Sequence, residues 1–240
     1  KAVMPLPYKR KYGIRYISQP FFTQQLGVFS KEHLSAETMT QFVGQIPAFF
    51  LKTRLQFNSE NSLAKHKLVM KENFILDLQS SYNELYKHFS KGRKHAIQQG
   101  LKKNVSIEEV SFKDVLLLSK ENYSFKEVSD KEYQKLTKLI AIAKDKNKVK
   151  IIGVKDCKEL IGGAVFLLGA KRIVYLFAAI SSRGKKMQVG SLLLNAMIQE
   201  HAGSQKLLDF EGSVRPGIAS FFKSFGAEIE TYGLLKKSWL

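Results

Sequence analysis

The sequence predicts an α/β protein of the α+β kind, a mixed sheet with helices packed on it. Three observations predict this. The 240 residues are 44% hydrophobic and 25% charged, the balance of a globular chain long enough to bury its apolar surface without staples. The apolar stretches are short and switch between period two and helical spacing. The second half reads helix, strand, helix, helix, three strands, helix, strand, helix, strand, an order that lays helices on a sheet.

Taken from the start, KAVMPLPYKRKYG reads as an apolar strand running into a basic turn. A chain that opens inside a strand is expected to be part of something longer. IRYISQP is a second strand, ended by Pro20. FFTQQLGVF is expected to be a loop. SAETMTQFVGQIPAFF is a helix, with Ser35 as N-cap and Ala36, Met39, Phe42 and Val43 as its stripe. LKTRLQFN alternates as a strand, and KLVMKENFILDL forms one or two more.

The pattern then restarts. SYNELYKHFSKGRKHAIQQGLKK reads as one helix with Leu85, Phe89 and Ile97 on its apolar side. Strand VSIEEVS, helices DVLLLSKENYSF and DKEYQKLTKLIAIAKDK, and strands VKIIGVK, ELIGGAVFLLG and RIVYLFAAI follow. Cys157 lies in the turn between the first two of those strands. GSLLLNAMIQEHA is an apolar helix, LLDFEGS a strand, PGIASFFKSFG a short helix and EIETYGLLKK the last strand. No repeat of solenoid length and no low-complexity segment is present.

Composition narrows the function classes. A lone cysteine, Cys157, excludes an intramolecular disulfide and favours a reducing compartment, so a cytoplasmic location is expected. The longest apolar run, IGGAVFLLGA at 161–170, is too short to span a bilayer. The net charge of +18 predicts attraction to phosphates, nucleic acid or anionic surfaces. His33, His66, His88, His95 and His201 show no metal-ligand spacing, so no metal is expected. Walker and dinucleotide glycine loops are absent.

Three stretches carry chemistry. In Leu207–Glu211, period-two alternation puts Leu207, Asp209 and Glu211 on one strand face and Leu208 and Phe210 on the other. Glu211 falls at the carboxyl end of the strand, where open α/β sheets hold ligands. Ser213 is placed to cap the helix starting near Pro216. The second stretch, Ser181–Ser191, joins a strand to a helix. A helix amino terminus suits a phosphate, Arg183, Lys185 and Lys186 add charge, and Gly190 lets a backbone approach closely. The alternative is a basic loop without a ligand. The third, the basic helix 91–103, carries Arg93 and Lys94, either for phosphates or acidic acceptor groups or as a solvated face.

Residues 76–227 resemble the Fem peptidyltransferase-like branch of the GNAT acyltransferases. Four matches carry the resemblance: Leu76-Asp77-Leu78, SKGRKHAIQQG at 90–100, GGAVFLLGAKRIVYLFAAISSRGKKMQVGSLLLNAMI, and LDFEGSVRPGIASFFKSFGA. It extends backward to QPFFTQQLGVF at 19–29, similar to a loop in the first half of these bacterial proteins. The resemblance implies an incomplete first GNAT-like half over 1–75 and a second, complete domain over 76–240.

It also implies transfer of an acyl or aminoacyl group to an amine, small-molecule or peptidyl. The donor would be aminoacyl-tRNA or acyl-coenzyme A. GNAT enzymes that use acetyl-coenzyme A carry Arg/Gln-x-x-Gly-x-Gly/Ala at the phosphate loop. Gly184 and Gly190 do not fit that spacing, a departure that a tRNA-dependent branch tolerates. The helical arm that some Fem enzymes use for tRNA has no counterpart here.

On this reading Glu211, with Asp209 as second choice, takes the proton of the amine nucleophile. The alternative pairs Glu211 with Arg215 to fix the turn. Arg183, Lys185, Lys186, Gln188, Gly190 and Ser191 are expected at the donor. Arg93, Lys94, Tyr175, Ser213 and Arg215 are expected at the acceptor. Two further readings stay open: a coenzyme A-dependent N-acetyltransferase acting on a sugar or lipid precursor, and a non-catalytic binder of nucleic acid or an anionic surface, membrane included.

Overall fold

The structure, a computed structural model, describes residues 1–61, 63, 68–123, 128–211 and 216–238. By its internal contacts the chain divides into two units: Lys1–Asn73 with Ile229–Leu240, and Phe74–Glu228.

In the first unit, β1 (Ala2–Val3) pairs with β4 (Phe29–Ser30). A sheet runs β2 (Tyr8–Lys11), β3 (Ile14–Ser18), β5 (Phe50–Gln56), β12 (Glu228–Ser238), parallel only between β3 and β5. The stretch 9–11, expected as a basic turn, is strand β2. Its backbone pairs with β3, and the turn is Tyr12-Gly13. Helix α1 (Ala36–Gly44) starts where expected, the Ser35 hydroxyl accepting the Thr38 N–H at 3.2 Å, and it buries Met39 and Val43. The core gathers Ile17, Val28, Met39, Leu55, Phe57 and Leu235. Buried Asn61 acts as an extra strand partner: its side chain accepts the Val28 N–H at 2.7 Å and donates to the Val28 carbonyl at 3.0 Å. The final strand, grouped from the sequence with the second domain, belongs here because it pairs along β5 from Leu234↔Gln56 to Ser238↔Lys52.

Strand β6 (Leu68–Asp77) passes into the second unit. There the sheet order is β6, β11 (Leu207–Asp209), β10 (Arg172–Ile180), β9 (Glu159–Leu168), β8 (Val149–Asp156), β7 (Val105–Glu109). Only the β10–β11 pair is parallel. The helices are α2 (Tyr82–His88), α3 (Lys91–Leu101), α4 (Phe112–Asn122), α5 (Asp130–Asp145), α6 (Ser182–Lys186), α7 (Val189–His201) and α8 (Pro216–Lys223).

The single helix expected over 81–103 is two. Phe89 is extended, and the Ser90 hydroxyl caps α3 by accepting the Arg93 N–H at 3.1 Å. The pair Gly162-Gly163 in β9 shows how helices reach the sheet. A Cβ on Gly162 would strike Val189 of α7, and one on Gly163 would come within 2.6 Å of Val115 of α4. Adjacent strand residues point to opposite faces, so α4 and α7 cover opposite faces. Cys157 sits exposed at φ 59 in the β8–β9 turn, as expected.

Candidate functional site

The site begins with a strand that stops early. β11 pairs with β10 only at Leu207↔Arg172, Leu208↔Ile173 and Asp209↔Val174. β10 runs on to Ile180 in register with β9, with a bulge between Tyr175 and Phe177. A cleft of about 720 Å³ lies along this stretch, lined by Tyr175–Ala178 and Ile180 of β10 and by Phe210 and Glu211 after β11. Lys185, Gln188, Gly190 and Ser191 line it from the α6–α7 segment, and Ile218, Phe221 and Phe222 from α8. Tyr123, at the end of α4, donates to the Ile180 carbonyl at 3.0 Å and carries the Lys185 ammonium 4.9 Å from its ring centroid.

The floor is aromatic. Phe210 stacks on Phe222 at 4.9 Å, and Tyr175 meets Phe222 edge-on at 6.2 Å. Such ring pairs add to the apolar area they bury. Burial, with Tyr123 beside it, pushes the Tyr175 hydroxyl above the ordinary phenol range, so Tyr175 stays protonated at neutral pH.

Glu211 is half-buried in the cleft wall at φ 53, a left-handed conformation that costs a non-glycine residue about 1 kcal/mol or more. Asp209 holds it there: one carboxylate oxygen accepts the Glu211 N–H at 2.9 Å, and the other takes the Arg172 guanidinium at 3.0 Å. The alternation expected over Leu207–Glu211 holds only as far as Asp209, where β11 ends; Glu211 leaves the strand in a left-handed turn, and Phe210 lines the cleft beside it.

Gln188, also in the lining, begins α7 in a left-handed conformation and makes no side-chain cap. The first turn of α7, together with Lys185, faces the cleft. Backbone N–H groups at a helix start and one ammonium are the elements of an anion site. Arg183 is drawn away by an ion pair with Asp156 and a contact to Glu159 at 3.3 Å, both on the β8–β9 turn. Lys186 is exposed and outside the cleft lining.

Arg93 lies behind the α7 wall. Its guanidinium donates to the Ser191 hydroxyl and, at 2.9 Å, to Ser224, and it stands 4.2 Å over Phe221 and 4.7 Å over Phe225. Burial brings its pKa down to about 10. Arg93 thus joins two side chains of the cleft, Ser191 and Phe221. Lys94 points elsewhere, donating to the Lys87 carbonyl at 2.8 Å. Gly212, Ser213 and Arg215 lie outside the described residues.

The structure therefore gathers Glu211, Tyr175, Lys185, Gln188, Gly190 and Ser191 in one cleft, with Asp209 and Arg93 directly behind it. Sequence reasoning missed Tyr123, Ile218, Phe221 and Phe222, and it placed Phe210 on the strand face away from the carboxylates.

Neither a protein-family model nor a curated protein matches the sequence. Solved structures do match in shape. FemX aligns over 97% of this chain and 84% of its own, at 11% identity and a TM-score of 0.65. L-PGS from Bacillus licheniformis aligns over 94% and 80%, at 14% identity and a TM-score of 0.54. A GCN5-related N-acetyltransferase from Kribbella flavida aligns over 99% and 89%, at 10% identity and a TM-score of 0.50. The chain has the GNAT-type fold that these proteins share.

Proposed function

We propose that this GNAT-fold chain transfers an acyl or aminoacyl group directly to an amine held in the cleft between β10 and β11. The carrying observation is the early end of β11: it opens the sheet where Glu211, in a left-handed conformation, lines one cleft together with an uncapped helix start and Lys185. A fold hosts many functions, so the reading rests on this site. The GCN5-related N-acetyltransferase among the structural neighbours is compatible with it.

Acyl transfer to nitrogen needs a neutral amine, and Glu211 accepts its proton as the nitrogen bonds to the acyl carbon and the donor's leaving group departs. Asp209 positions Glu211 through its backbone N–H. The α7 start and Lys185 hold the donor's phosphate, and the aromatic floor keeps water from the acyl group. An aminoacyl-tRNA donor is favoured over coenzyme A, because Arg183 is committed to Asp156 and Glu159, leaving Lys185 as the basic side chain of 183–186 that lines the cleft.

The test is calorimetric titration with acetyl-coenzyme A, then with charged and uncharged tRNA, at two salt concentrations. Preference for charged tRNA with silence toward coenzyme A supports the reading. Saturable coenzyme A binding moves the chain to the coenzyme A-dependent acetyltransferases. Equal, salt-steep binding of both tRNAs removes the enzyme reading. With a donor identified, Glu211→Gln is expected to lower turnover about 100-fold or more, and full turnover in a folded variant would sink the base assignment.

A further inference from the structure

The first unit carries a surface that the proposed reaction does not use. Its β2–β3 hairpin sets Arg10 directly opposite Arg15 and turns at Tyr12-Gly13. Like charges opposite each other on paired strands destabilise a sheet, and neither arginine has a carboxylate partner among the described residues. The first acidic residue of the whole chain is Glu32. The same hairpin displays large apolar side chains. Tyr12, at φ 51, is 90% exposed, and Ile14 beside it is exposed as well. Phe49, 54% exposed, lies 5.3 Å under the Arg15 guanidinium, and the Lys11 ammonium stands 5.3 Å from the Tyr12 ring. Exposed cation–π contacts stabilise by only about 0.5–1 kcal/mol each, too little to account for both the opposed arginines and the exposure of Tyr12, Ile14 and Phe49.

We propose that this hairpin docks the protein, tip first, on an anionic phospholipid bilayer. Lys11, Arg10 and Arg15 would lie at the level of the headgroup phosphates, which attract basic side chains over about a Debye length. Tyr12 suits the interface, where an apolar ring with a polar end is at home. Ile14 decides between a bilayer and an RNA, since an exposed ring such as Phe49 also stacks on unpaired bases. A bilayer interface takes up aliphatic and aromatic area together with charge, whereas a phosphate backbone gives nothing to an exposed isoleucine. The inference does not rest on the transferase reading.

Co-sedimentation of the 240-residue chain with vesicles tests it. Vesicles of equimolar phosphatidylcholine and phosphatidylglycerol are expected to bind at least ~10-fold more tightly than phosphatidylcholine alone, and less so as salt rises. The triple variant Arg10→Gln, Lys11→Gln, Arg15→Gln is expected to lose ~100-fold, at about fivefold per charge. Tyr12→Ser weakens binding at low and high salt alike. A control of equal charge, Lys131→Gln and Lys138→Gln on exposed positions of α5 with Lys146→Gln at its C-cap, keeps wild-type binding. Should the triple variant melt early, Tyr12→Ser decides alone, since its side chain makes few contacts to lose. Equal loss in the control would show net charge acting without a docking surface and overturn the proposal. So would equal binding to both vesicles, or silence toward vesicles with tight binding of single-stranded RNA through the same three cations.

Discussion

Asp209 gives the sharpest test of how the site is held. The perturbation is Asp209→Ala beside Asp209→Asn. In the wild type one buried carboxylate spans two groups, the Arg172 guanidinium at 3.0 Å and the Glu211 N–H at 2.9 Å. Each hydrogen bond to a charged group contributes about 1.5–3 kcal/mol. Breaking a fully buried ion pair costs about 3–5 kcal/mol. Arg172 is 27% exposed against 8% for Asp209, so water recovers part of the arginine's solvation and the lower end applies. Asp209→Ala should therefore cost about 3–4 kcal/mol, or roughly 10 °C in melting temperature for a chain of this size. Asp209→Asn keeps an oxygen for the Glu211 N–H and loses only the charge, so about 1–2 kcal/mol is expected. Urea denaturation followed by circular dichroism reads both. An Ala variant within about 0.5 kcal/mol of wild type would refute the bridging role. Asn and Ala losses of equal size would show that the Glu211 N–H gains nothing from Asp209.

Two further outcomes follow from packing and charge. A Cβ on Gly184 of α6 would strike the Ile161 carbonyl oxygen of β9 and come 3.0 Å from Ile180. Backbone cannot yield as a side chain can, so Gly184→Ala should cost about 1–3 kcal/mol and displace Lys185 from the cleft; unchanged melting would show that α6 lifts freely. Burial lowers the pKa of His201, against the opposing effect of Glu200 and helped by Lys206 and Lys150, and its Nε2 is buried without a hydrogen bond. The unfolded chain then takes up the proton more readily than the folded one, so stability is full above the ordinary histidine range and falls as pH drops through about 6.5. His201→Phe should flatten the difference in urea midpoint between about pH 7.5 and pH 5.5, and an unchanged slope would assign the effect to another group.

Much of this was legible in the chain because local signals agreed with tertiary ones. Ser35 caps α1 where a serine before an amphipathic stretch should, and the alternation of LKTRLQFN buries Thr53 and Leu55 while Lys52 and Arg54 stay in water. The failures have physical causes. Tyr8–Lys11 shows no apolar alternation, yet it is a strand because β3 satisfies its backbone. Ser182–Lys186 reads as a basic loop, yet it is helical under a Ser181 cap that accepts the Gly184 N–H at 3.0 Å. In the site, Glu211 reaches the cleft wall through a left-handed turn after β11, which period-two alternation does not foresee. No local pattern could tell that Asp156 and Glu159 would claim Arg183, or that Phe221 and Phe225 would underlie Arg93. Those outcomes depend on side chains brought together from distant parts of the chain.

The pairing of β12 with β5 also orders events during synthesis. Leu235 and Leu55 share one buried row of the first unit, yet everything from residue 74 to residue 228 is made between them. Emerging from the ribosome, the inserted unit has its whole sequence available first. The other unit must wait, with one edge of β5 unpaired, until residues 234–238 of β12 arrive. With residue 228 just clear of the ribosome, the chain would hold a complete inner unit and an open outer sheet, and an open sheet edge is what chaperones and proteases find first.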